Sequence, residues 1–82
     1  MRLPEALVED LEILAMEAQR GEAVGPGLTR RLERDMTVAF ARHGFPDARV
    51  QARAERGGVV VRVDLPRPGR PVERVVFSLG GL

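Results

Sequence analysis

Eighty-two residues, 44% of them apolar and 30% charged, with a net charge of +1, describe one small globular domain and not a disordered, collagenous or membrane-embedded chain. A chain this short buries about 60–65% of the surface it exposes when unfolded, so it holds one core and no cleft between domains. It has no cysteine, which removes disulfides, thiolate chemistry and cysteine-based zinc sites, and no apolar run reaches the roughly 18 residues of a membrane span.

All thirteen basic residues are arginine; lysine, asparagine, tyrosine and tryptophan do not occur, and Ser78, His43 and Ile13 are single occurrences. Such bias fits a coding sequence rich in G and C, so the arginine count is partly a codon effect. The first 22 residues carry two arginines and six acids, a net of −4, which leaves +5 on residues 23–82. The chain is acidic early and basic later. Its amino terminus, Met1-Arg2-Leu3-Pro4-Glu5, leads into an acidic amphipathic stretch and not a signal peptide, which predicts a cytoplasmic protein.

Pro4 suits the first position of a helix, and no breaker follows before Gly21, so a first helix is expected over residues 4–20. Leu3, Leu7, Leu11, Leu14 and Ala18 share one face, flanked by Val8 and Ala15, while Glu5, Glu9 and Glu12 lie opposite. Ile13 and Met16 fall among the glutamates. Most single apolar residues on a surface touch nothing, but a partner contact is the alternative reading for this pair. A turn over residues 21–27 precedes a second helix that starts at Pro26 and runs to about His43. Leu28, Leu32, Met36, Ala39 and His43 form its core face, with Phe40 beside it. Gly44 then reads as a left-handed cap, with Phe45 packing back on Phe40 and Pro46 preventing continuation.

From Ala48 the period changes to 2. Ala48, Val50, Ala52 and Ala54 alternate with Arg49, Gln51, Arg53 and Glu55, and beyond Arg56-Gly57-Gly58 the inward set is Val59, Val61, Val63 and Leu65. This is a β-hairpin. A turn at Arg56-Gly57 sets Arg49 opposite Asp64 and Val50 opposite Val63, whereas a turn at Gly57-Gly58 would set Arg53 against Arg62, so the first register is expected. Pro66-Arg67-Pro68-Gly69-Arg70-Pro71 reads as a stiff loop leading to a third strand, Glu73 to Leu79, with Val75, Phe77 and Leu79 inward.

The expected fold is therefore α+β over residues 1–82: two helices (a helical hairpin, 4–43) packed on one face of a three-stranded antiparallel meander (48–79), in the order α-α-β-β-β. The other sheet face stays open and displays Arg49, Arg53, Arg62 and Arg74 with Gln51, Glu55, Asp64, Val60, Val76 and Ser78.

Groups for catalysis are scarce. With one serine and one histidine a triad is improbable, and His43, at a helix end where the dipole favours a protonated ring, is more readily structural. Glu5, Glu9 and Glu12 have helical metal-ligand spacing but no histidine beside them, so a solvated face is the better reading. No metal, no cofactor and no enzyme activity are expected. Gly25-Pro26-Gly27 before Thr29, Arg30 and Arg31 could cradle a phosphate, but the spacing matches no phosphate-binding fingerprint, and a plain helix start is favoured. The arginine face, with Arg67 and Arg70, is the strongest nucleic-acid candidate; it has no aromatic residue for stacking bases, and acids dilute it.

In element order the chain is similar to the small ribosome-dependent ribonuclease and gyrase-poisoning toxins of toxin–antitoxin pairs, which carry an extra amino-terminal strand. That resemblance is one of topology, assigns no residue, and implies a toxin-like ribonuclease as a third reading. Gly80-Gly81-Leu82 is faintly similar to sulfur-carrier tails, although those end on the second glycine of a different fold. The function expected first is that of a small non-enzymatic structural or adaptor subunit of a larger assembly, such as a phage-derived or other macromolecular particle. It would contact a protein partner or copies of itself through Arg49, Arg53, Val60, Arg62, Arg74, Val76, Ile13 and Met16, with arginine-based nucleic-acid binding second and no membrane partner.

Overall fold

The structure, a computed structural model, describes residues 3–21 and 25–80; the centre of the expected interhelix turn, the side chain of Leu79 and the tail residues 81–82 lie outside the described set. Helix α1 spans Glu5–Gly21 and α2 spans Pro26–Arg42, followed by strands β1 (Arg49–Glu55), β2 (Gly58–Arg67) and β3 (Arg70–Gly80). The order is α-α-β-β-β, and the strands form one antiparallel sheet in the order β1-β2-β3.

Both helices are amphipathic and bury their apolar stripes against the inner face of the sheet. Leu7, Leu11, Ala15 and Ala18 of α1 join Leu28, Leu32, Met36, Ala39 and Phe40 of α2 and Val59, Val61, Val63 and Leu65 of β2 in one cluster. β2 is the central strand, so its inner residues are covered on both sides. Val50, Ala52, Val75 and Phe77 on the flanking strands are only partly buried. Val8 lies at the exposed margin of the stripe, and Pro4 stands just before the helix, accepting the first helical bond from the Val8 N–H at 3.1 Å.

The end of α2 is the most fully specified local feature. Gly44 turns with φ 93°, its N–H bonds the Ala41 carbonyl at 3.3 Å, and the Phe45 N–H reaches the Phe40 carbonyl at 2.9 Å. These are the two bonds of a Schellman motif, completed by edge-to-face contact of the Phe40 and Phe45 rings at 6.1 Å. Pro46 ends any continuation, and Ala48 returns to the core.

The β1–β2 register pairs Arg49 with Asp64, Val50 with Val63 and Glu55 with Gly58, which leaves Arg56-Gly57 as a two-residue turn with Gly57 at φ 82°. Arg53 faces Val60 instead of Arg62, as the charge argument requires.

The proline-rich segment differs from the expected loop. β2 continues through Pro66 to Arg67, Pro68-Gly69 alone makes the turn, and β3 already begins at Arg70. Two local features admit the prolines. β1 ends its pairing at Asp64, so Pro66 has no neighbour on that side that needs its N–H, and a bulge between Leu65 and Arg67 takes Pro66 out of the ladder with β3. Pro68 followed by Gly69 at φ 71° is the residue pattern of a type II turn.

Candidate functional site

The outer face of the sheet is built as rows, because pairing register and pleat together decide which side chains are neighbours. One row is Arg49–Asp64–Arg74, the next Gln51–Arg62–Val76, and the third Arg53–Val60–Ser78. Six of the eight expected contact residues, Arg49, Arg53, Val60, Arg62, Arg74 and Val76, thus share one surface. Ile13 and Met16 do not belong to it. They are 51% and 54% exposed on α1, in the helical layer that covers the opposite side of the sheet.

Of the four arginines on the open face, two are paired with acids within it and a third with an amide. Arg74 Nε donates to Asp64 Oδ1 at 2.8 Å, Arg53 Nη2 lies 2.6 Å from Glu55 Oε1, and Arg62 Nη2 donates to Gln51 Oε1. The hydrogen bond from Arg74 holds the Asp64 carboxyl below its usual value of 3.8; partial burial opposes this, and the charges of Arg74, Arg62 and Arg49 reinforce it. Between these pairs lies an apolar strip. Val76 is 58% exposed and Val60 half-buried, and they line a shallow depression of about 520 Å³ with Gln51, Ala52, Arg53, Arg62 and Glu33.

Glu33 is a residue the sequence did not single out. From α2 its Oε2 accepts the Ala52 N–H at 2.8 Å, so a helix carboxylate satisfies an outward-facing donor on the β1 edge. Val38 was missed as well. It is 48% exposed and lines a groove between the two helices with Asp10, Ile13, Leu14, Asp35, Ala39 and Arg42, so Ile13 belongs to a helical surface separate from the sheet face.

His43 caps α2, and its Nε2 lies 2.7 Å from Asp10 Oδ2 on α1. The contact ties the carboxyl end of α2 to the first half of α1. Ser78 is exposed on β3 in the row of Val60. At the start of α2 the Thr29 hydroxyl donates to the Pro26 carbonyl at 3.1 Å, so it is turned back on its own helix. Glu5, Glu9 and Glu12 are exposed, and among the described residues no group of three or more acidic or histidine side chains is placed to hold a metal ion. Among those residues no helix is long and apolar enough to cross a membrane.

No family model matches the chain, and neither a curated protein nor a solved structure does. The likeness to toxins in element order therefore stands alone.

Proposed function

We propose that the protein is a small non-enzymatic subunit or adaptor that works by protein–protein contact, with the open sheet face as its principal docking surface. The observation that carries this reading is the internal pairing of the face. Arg53, Arg62 and Arg74 are engaged by Glu55, Gln51 and Asp64, and the surface between them is apolar, at Val60 and Val76. A face with apolar residues set among arginines that are already engaged by neighbours has the composition of a protein interface. A polyanion site calls for cations that are not already matched by acids.

One observation favours a second reading. Arg49, Arg62 and Arg74 all act on the single carboxylate of Asp64, so that part of the face has a surplus of positive charge. Arginine-based recognition of nucleic acid is the alternative it supports.

The test is to make Val60→Glu and Val76→Glu, verify cooperative melting by circular dichroism, and measure mass by light scattering alone and with the partner recovered from the native cells. Both variants are expected to fold and to lose the protein partner. Variants that assemble as the wild type does overturn the reading, and so does turnover of a hydrolase or nuclease substrate that a folded His43→Ala variant lacks.

A further inference from the structure

The two edges of the sheet are not alike. Because the Ala52 N–H points away from β2 to Glu33, the Ala52–Val61 pair is a non-hydrogen-bonded one, and the alternation of an antiparallel ladder then fixes every other residue. Val61 bonds Phe77, and the backbone groups of Arg74, Val76 and Ser78 point out of the sheet. The β1 edge is guarded by Glu33 and lies beside α2, whereas among the described residues no further strand pairs with β3. Apolar surface flanks that second edge on both sides. Val76 stands on the outer face, and on the helical side Leu3, Val8, Leu11 and Phe77 line a groove of about 360 Å³ with Glu12 and Ser78.

We infer that β3 pairs antiparallel with β3 of a second copy about a two-fold axis at Val76, joining two three-stranded sheets into one of six strands. This rests on the assembly reading above and names its first partner. The register follows from self-complementarity. Centred on Val76, the pairing sets Val76 on Val76, Arg74 against Ser78 and Val75 against Phe77, so apolar meets apolar and no like charges face each other. Centring on Arg74 would oppose the two arginines, and centring on Val75 would set Glu73 against Phe77 and Arg74 against Val76. In the chosen register Val75 and Phe77 of the second copy project to the side of the apolar groove. A foreign strand would have to supply this pattern; a second copy carries it already.

The experiment uses the full chain, whose lack of cysteine makes cross-linking clean. Sedimentation across a dilution series is expected to show a monomer–dimer equilibrium. Val76→Pro removes an outward N–H that no intrachain ladder bond uses, and Val76→Lys opposes two like charges at the axis. Each should weaken dimerisation at least about tenfold while the melting transition stays cooperative. Val76→Cys should form an intermolecular disulfide on oxidation, since hydrogen-bonded antiparallel partners lie about 5.5 Å apart between Cα atoms. Arg74→Cys should not cross-link to itself but should cross-link to Ser78→Cys in a mixture. A wild-type chain that stays monomeric throughout the series overturns the pairing, as does a dimer unaffected by Val76→Pro or one with a different cross-linking pattern. Val60→Glu separates the two ideas, because Val60 lies on the central strand away from the edge. A variant that dimerises but no longer takes its protein partner supports both, loss of the dimer together with the partner overturns the pairing alone, and a variant that keeps both overturns the docking-face reading alone.

Discussion

Asp64 stands at the meeting point of three strands, opposite Arg49 on one side and Arg74 on the other, with Arg62 two residues before it on its own strand. Its carboxyl is held below the usual value first by the Arg74 hydrogen bond, so the carboxylate is favoured in the folded state relative to the unfolded chain. A depressed folded-state value stabilises the fold above the unfolded value, and the contribution disappears as pH falls through the folded one. Asp64→Asn should therefore lower the melting temperature most near neutrality. The gap to the wild type should close as pH is lowered from about 6 to about 2, and a gap independent of pH would show that the Arg74 contact contributes no charge-dependent stability. The pair sits at the surface with Arg74 exposed, so the effect is expected to be small and to shrink in salt.

At the scale of elements, the end of α2 shows how a few residues determine a chain reversal. Gly44 takes a left-handed conformation in which any Cβ is strained, although among the described residues no heavy atom beyond its immediate chain neighbours lies within 4 Å of where it would sit. Gly44→Ala should thus cost about 1 kcal/mol through the backbone alone, read as a lower denaturant midpoint with unchanged slope. Asparagine at the same position should recover part of the loss, because it tolerates that conformation better. Features of this local kind were legible in the sequence. The cap needed Gly44, Phe45 and Phe40 in their spacing, and the β1–β2 register needed only the glycine turn and the charges on Arg49, Arg53, Arg62 and Asp64. The proline segment was not legible, because whether Pro66 may sit in a strand depends on how far β1 extends beside it and on a bulge at Leu65. The Glu33 bond to Ala52 was hidden for a related reason. It joins a helix to a strand edge 19 residues away, and nothing in the residue types marks that acid from its neighbours. The six open-face positions followed from period 2, whereas placing Ile13 and Met16 apart from them required knowing which sheet face the helices cover.

For the whole molecule, the distribution of charge bears on the two proposed readings of the open face. α1 carries acids on its exposed side, the sheet face holds four arginines and two acids, and the net charge is only +1. Long-range attraction of a polyanion is therefore weak, and whatever binding occurs must come from the arginines of the face itself. Each arginine that neutralises a phosphate releases about one counterion, so four of them limit the slope of log affinity against log salt to about 4 in magnitude. If protein contact is the purpose of the face, binding to single- or double-stranded nucleic acid should be faint at low salt and absent at physiological salt, measured by fluorescence anisotropy. Replacing Arg49, Arg53 and Arg62 together by alanine should then leave partner assembly altered and nucleic-acid affinity unmoved. Sub-micromolar affinity at physiological salt that collapses in the same triple variant would reverse the order of the two readings. The partnering of Arg74 with Asp64 and of Arg53 with Glu55 would then be the resting state of side chains that exchange a carboxylate for a phosphate on binding.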